Sequence, residues 1–219
     1  AATTWADLSG NGNPLTLDAN LAAFQDGMAL YCNGSASGSG KYAAHLDKKL
    51  DTYQTVEVCY HRTGSNIKQL ILHSGNNNQS RYLYDRYLLD KGIQFSKASP
   101  MMAICDTKAT TNTVAGVYGS SSATSVDEAY LNGVYGVRAG TENMHGGCGV
   151  FTLGENYQSD RLFKGEIFAV RLYGRKLTNA ECRRNAALDE MRFCGTVPED
   201  VRWNSATEKF EFRLRIPAH

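Results

Sequence analysis

The side chains best equipped for chemistry cluster in one short run, Ser80 to Leu89, SRYLYDRYLL. As a strand, Tyr82, Tyr84 and Arg86 project on one face, and Arg81, Leu83, Asp85 and Tyr87 on the other. Aromatic faces pack on the C–H surfaces of a sugar ring, while Arg, Asp, Asn and His bond its hydroxyls. On that chemistry Tyr82, Tyr84, Asp85, Arg86 and Tyr87 are candidate ligand-binding residues. Asn143 and His145 in the glycine-rich loop Thr141 to Gly149 offer the same groups, as do Tyr157 and Asp160 before the last long strand. A structural reading competes: tyrosine favours strands for its β-propensity alone, and its rings pack on neighbours.

Catalytic signatures are missing. Retaining glycosidases need two carboxyls about 5 Å apart, and no acidic pair at i, i+2 occurs in the chain to supply them from one strand. No H-E-x-x-H is present for zinc, and Ala36 stands at the centre of Gly34-Ser35-Ala36-Ser37-Gly38 where a nucleophile elbow needs serine. Gly10-Asn11-Gly12 is followed by Leu15 where a dinucleotide fingerprint needs its third glycine. The five histidines are scattered. The expectation is a chain that is not an enzyme, with no catalytic residue.

The loop Ser9-Gly10-Asn11-Gly12-Asn13-Pro14 supports two readings. Asp7, Asn11 and Asn13 can give a calcium ion the oxygen ligands a hard cation prefers, or they can shape turns by bonding their own backbone. No cofactor is required, and a structural calcium near the Asp7–Asn13 loop is the ion the residues suggest. Cys32, Cys59, Cys105, Cys148, Cys182 and Cys194 are too widely spaced for a zinc ribbon or a redox pair. They are read as buried thiols packed like small apolar groups, or as disulfides. Cys182 and Cys194 are the pair expected to meet.

A net charge of +1, from 23 basic and 22 acidic residues, gives no electrostatic case for nucleic acid or an acidic membrane. No apolar run approaches the ~20 residues of a membrane span, so membrane insertion is not expected. The chain opens AATTWADLSG with no charged-then-apolar leader. The expectation is a removed leader or a start inside a longer protein.

The elements that must position these groups follow from periodicity. Leu162 to Phe193 switches from a strand to a helix. In its first half Ile167, Ala169, Arg171 and Tyr173 share one face, and Phe168, Val170 and Leu172 the other. Thr178 with Glu181 three residues on is a capping box that starts a helix. Ala180, Ala187, Leu188 and Met191 form its apolar stripe, with Arg183, Arg184 and Glu190 outside. Thr55 to Arg62 alternates Val56, Val58 and Tyr60 against Glu57, Cys59 and His61. Further short strands are read at Leu15–Leu17, Met28–Cys32, Lys68–His73, Ile93–Phe95, Met101–Cys105, Thr113–Tyr118 and Val150–Leu153. Val126–Leu131 and Val134–Arg138 flank Asn132-Gly133, a two-residue hairpin signal. Strands and turns at this spacing indicate a sandwich or jelly roll. After Cys194, Val197-Pro198-Glu199-Asp200 reads as a linker, and Phe210, Phe212, Leu214 and Ile216 as one further strand packed on the same domain. The final Ile216-Pro217-Ala218-His219 suggests that another domain follows.

Three segments carry a family resemblance. Phe163 to Glu181, F-K-G-E-I-F-A-V-R-L-Y-G-R-K-L-T-N-A-E, resembles the closing strand and turn of the concanavalin A-like lectin/glucanase superfamily, in its laminin-G-like branch. Trp5 to Asn13 resembles the opening loop, and Ala129-Tyr130-Leu131-Asn132-Gly133 the late hairpin. The resemblance implies an all-β fold, a two-sheet antiparallel jelly-roll sandwich of concanavalin A-like type with one short C-terminal helix. It says little of the ligand, because one fold hosts many functions. The glucanase branch places its acids on an E-x-D-x-x-E strand, which this chain lacks.

Residues 1–194 are therefore expected to form the sandwich, and 195–219 a linker and an extra strand, either packed on this domain or opening a following one. The expected function is a non-catalytic carbohydrate-binding, lectin-like module of a larger surface or secreted protein. It would be extracytoplasmic, with a glycan or glycoprotein surface and other domains of the same polypeptide as partners. A protein-adhesion or spacer module with the same fold is the alternative. A glycoside hydrolase with carboxylates from separate strands ranks last.

Overall fold

Alternation in Thr55–Arg62 sets the centre of the molecule: Val56, Val58 and Tyr60 are buried between two sheets, while Glu57 and Cys59 point the opposite way. The computed structural model describes residues 3–25, 29–34, 41–48, 53–65, 69–76, 79–85, 92–95, 102–103, 111–119, 126–136, 150–154, 161–195, 201–204 and 209–212. Numbered in chain order, one sheet has eight strands. They run β1 (Thr4–Trp5), β2 (Leu15–Leu17), β5 (Ala44–His45), β14 (Phe151–Leu153), β7 (Gln69–Asn76), β8 (Gln79–Asp85), β9 (Gly92–Phe95) and β10 (Met102–Ala103). The other has seven: β13 (Val134–Gly136), β12 (Val126–Leu131), β11 (Asn112–Tyr118), β6 (Thr55–Arg62), β15 (Lys164–Tyr173), β4 (Ala29–Asn33) and β3 (Ala22–Gln25). All pairings between these strands are antiparallel. The chain is thus an antiparallel β-sandwich of jelly-roll kind with one short helix among the described residues.

The core follows from register. Leu17, Ala44, Leu153, Leu72 and Leu83 stand opposite one another across β2, β5, β14, β7 and β8. This row packs with Leu30, Val56, Val58, Tyr60, Val114 and Ile167 of the other sheet in one apolar cluster. Two arginines lie in the same interior. Arg62 Nη1 donates to Asp85 Oδ1 at 2.6 Å, and Tyr60 donates its hydroxyl to Asp85 Oδ2 at 3.0 Å. The Arg81 guanidinium lies 4.4 Å from the Tyr53 ring centre and 3.9 Å from that of Tyr118.

The expected faces of the last long strand need correction. β15 shifts register between Ile167 and Ala169, which pair with the consecutive residues Tyr60 and Cys59. Phe168 is the extra residue of a bulge, and a bulge exchanges the faces beyond it. Ile167 therefore shares the core with Val170 and Leu172, while Tyr173 packs on the opposite side.

The helix α1 (Asn179–Cys194) starts at Thr178, whose side chain accepts from the Glu181 backbone while Glu181 answers the Thr178 backbone. Gly195 ends it in a left-handed cap. The apolar stripe read from the sequence is not the docked face. Ala180 and Leu188 are exposed, and Cys182, Ala186 and Asp189 are buried. Asp189 is buried because a guanidinium and a hydroxyl reach it from the sheet below, a partner set that hydropathy does not register.

Cys182 and Cys194 do not meet. They lie twelve positions apart on one helix, about 18 Å of rise against the roughly 7 Å a disulfide can span. Cys32, Cys59, Cys182 and Cys194 are free thiols, the first three buried, while Cys105 and Cys148 lie outside the described residues. Asn132 and Gly133 take positive φ, 50° and 77°, and turn β12 into β13 as a two-residue hairpin. Beyond Gly195, β16 (Val201–Asn204) and β17 (Lys209–Phe212) pair with each other in a separate two-stranded sheet. The terminal segment thus holds a hairpin where one strand was expected; Leu214 and Ile216 lie outside the described residues. No helix of the described residues is long and apolar enough to cross a membrane.

Candidate functional site

Opposite the apolar row, the same register lines up a polar one. Thr16, His45, Thr152, His73 and Tyr82 are successive partners across β2, β5, β14, β7 and β8. They stand on the outer face of the eight-stranded sheet, because their chain neighbours Leu17, Ala44, Leu153, Leu72 and Leu83 point inward. Two residues further along β8, Tyr84 joins this face.

One end of the row is a stack. The His73 and Tyr82 rings lie 4.7 Å apart at an interplanar angle of 4°, and Tyr82 and Tyr84 lie 5.6 Å apart at 19°. The Arg161 guanidinium lies 5.8 Å from the Tyr84 ring centre. Tyr82 keeps 5% of its surface exposed and Tyr84 3%. Tyr82 stacks with both His73 and Tyr84, so its ring is already engaged by other rings.

The other end is open. Asp47, on the exposed turn after β5, accepts from Thr16 Oγ1 at 2.6 Å with one oxygen and lies 2.8 Å from His45 Nε2 with the other. The Thr16 hydrogen bond and the adjacent His45 hold the Asp47 carboxyl below the usual range. The Tyr42 ring lies 4.7 Å from that of His45, tilted by 53°. Tyr42 and His45 are half-buried. Here a carboxylate acceptor, an imidazole, a hydroxyl and a ring converge within reach of solvent.

Three of the nine candidates from the sequence lie among the described residues. Tyr82 and Tyr84 share the outer face, as the alternation requires. Asp85 is fully buried on the inner face, held by Arg62 and Tyr60. Arg86, Tyr87, Asn143, His145, Tyr157 and Asp160 lie outside the described residues. Sequence reasoning missed Thr16, Tyr42, His45, Asp47, His73 and Thr152. His73 had a signal, since it follows the apolar run Leu70–Leu72 at the end of a strand. The two-residue strand β5 had none, and only sheet register brings His45 beside Thr16.

The buried acids among the described residues are Glu57, Asp85 and Asp189. Asp85 is tied down between the sheets. Glu57 and Asp189 meet under α1, where Arg171 reaches both. Among the described residues no group of three or more His, Cys, Asp or Glu is arranged to hold a metal ion. In the opening loop Asp7 accepts the backbone N–H groups of Ser9 and Asn13, each at 2.8 Å. A hydrogen bond from the Ser9 side chain lowers the Asp7 pKa most, and these backbone bonds lower it further.

No family model matches the chain, and no curated protein matches it in sequence. Solved structures do. A Trypanosoma rangeli sialidase superposes with a TM-score of 0.61 at 13% identity, over 87% of this chain and 32% of that one. The same enzyme in complex with sialic acid gives 0.59 at 14% identity, with the same coverage. A CBM40 of a Ruminococcus gnavus IT-sialidase gives 0.48 at 18% identity, over 68% of this chain and 97% of that one. The chain spans about a third of the length of the Trypanosoma sialidase. At these identities the likeness to the larger protein is one of fold.

Proposed function

We propose that this chain is a non-catalytic carbohydrate-binding module of concanavalin A-like, laminin-G-like type, carried by a larger extracytoplasmic protein. The observation that carries this is the outer row of the eight-stranded sheet, which ends at the exposed rim in Thr16, Tyr42, His45 and Asp47. A sugar offers adjacent hydroxyls that both donate and accept, with an apolar C–H face beside them. Asp47 accepts, Thr16 and His45 orient it, and the Tyr42 ring supplies the apolar contact. The fold shared with about a third of a sialidase solved in complex with sialic acid supports the reading. The non-catalytic part rests on the sequence, which has no acidic pair at i, i+2 and no E-x-D-x-x-E strand.

A glycan array tests this. Wild type is expected to bind a subset of glycans, with Asp47→Ala and Tyr42→Ala each losing binding about tenfold or more, and melting as wild type does. Tyr84→Ala serves as a control for the buried stack. Binding to no glycan would favour protein adhesion or spacing, a reading the mutual stacking of His73, Tyr82 and Tyr84 also suits. Polysaccharide turnover that is lost on changing one acid would replace both with a hydrolase. Calcium in the Asp7–Asn13 loop is a separate proposal, which the carboxylate's hydrogen bonds to its own backbone make unnecessary for that turn.

A further inference from the structure

Under the helix two carboxylates share one guanidinium. Arg171 meets Asp189 with both terminal nitrogens, at 2.9 and 2.5 Å, and lies 4.0 Å from Glu57 Oε2. Asp189 also accepts from Thr113 Oγ1 at 2.9 Å. Glu57 is fully buried; its Oε2 accepts from the Tyr173 hydroxyl at 3.0 Å and from Asn185 Nδ2 of the helix at 2.9 Å. Its Oε1 is buried with no hydrogen-bond partner among the described residues. With both acids ionised, the docked helix encloses one excess negative charge and an unsatisfied anionic oxygen. Such a charge is costly away from water, and a proton removes it.

We propose that α1 docks on the seven-stranded sheet as a proton-coupled latch, with Glu57 as the proton carrier and release favoured as pH rises. The apolar part of the interface is small, with Ala115, Val117, Tyr130, Leu177 and Cys182 packed together and Tyr173 beside them. The polar network therefore weighs heavily in docking. Burial pushes the Glu57 carboxyl above its ordinary 4.5, only partly offset by Asn185, Tyr173 and Arg171. Two thiols and two phenols near it do not compete in the same range. Burial pushes Cys59 on β6 and Cys182 on α1 up to about 12, and raises Tyr173 on β15 and Tyr130 on β12, the latter beside Glu128. Arg171 pays for burial, yet Asp189 holds it charged. Glu181, on the outer side of α1, is lowered to about 2 by Arg175.

The sign follows from proton uptake. A carboxyl whose pKa is raised by docking binds more protons docked than free, so docking is undiminished below the ordinary value and weakens as pH rises through the raised one. Undocking would bare the interface beneath Cys182 and Ala186 to solvent.

Hydrogen exchange of the full chain at pH 5 and pH 8 reads this directly, with each rate normalised to an unstructured peptide at the same pH. The α1 amides in wild type are expected to lose about tenfold in protection, while the β11 amides hold theirs. In Glu57→Gln the helix should be equally protected at both pH values. Equal protection in wild type, or the same loss in Glu57→Gln, would overturn the latch. If that variant does not fold, a carbon-13 titration of the wild-type Glu57 carboxyl decides. A midpoint above the ordinary carboxylate value supports the latch, and a midpoint at that value removes it.

Discussion

Asp85 and Asp47 are both carboxylates within reach of basic groups, and burial separates their roles. Asp47 is on an exposed turn where solvent screens its charge, so its histidine contact is a matter of orientation. Asp85 is out of water altogether and depends on Arg62 and Tyr60. Replacing it by Asn removes the buried carboxylate that faces the Arg62 guanidinium, and about 3–5 kcal/mol of stability should be lost. Urea unfolding of Asp85→Asn measures this, and the double variant Arg62→Met/Asp85→Leu should recover most of the loss. An unchanged midpoint in the single variant would show that the pair contributes little. The opposite orientations of Asp85 and Tyr84 were legible in the sequence, because adjacent strand residues point to opposite faces. That Asp85 faces a buried arginine was not, because Arg62 lies on a strand of the other sheet.

Strands and helix show where local pattern meets its limit. The capping box at Thr178 and Glu181 is a contact between residues three apart, and it formed as read. The face that α1 buries depends on what lies beneath it, and the Arg171 guanidinium drew Asp189 inward where hydropathy favoured Leu188. In β15 an extra residue at Phe168 reverses the alternation, and nothing within the strand announces it. Close approach within the sheet makes a further demand on this strand. Gly165 has φ +152°, and a Cβ there would lie 2.1 Å from the His61 carbonyl oxygen. Gly165→Ala is expected to destabilise the chain by about 3 kcal/mol, read as a fall in denaturation midpoint without a change in slope. Wild-type stability in that variant would mean that β4, β6 and β15 can part without cost.

The two sheets together make a scaffold whose stability is expected to need no bound ion. The opening turn illustrates this, since Asp7 satisfies the Ser9 and Asn13 N–H groups with its own oxygens. Thermal melting with and without a calcium chelator should give superimposable curves; a lower melting temperature in chelator would place a stabilising ion in the native state. The sequence by itself determined the all-β class, the strand sites around Thr55–Arg62, Asn112–Tyr118 and Val126–Leu131, the hairpin at Asn132-Gly133 and the single capped helix. Those features arise between residues close in the chain, where period and turn chemistry act. Only the tertiary structure decided that Thr16, His45, Thr152, His73 and Tyr82 form one row, and that Glu57 and Asp189 share a guanidinium. These contacts join residues far apart in the chain, and register, a bulge and burial set them rather than any local pattern.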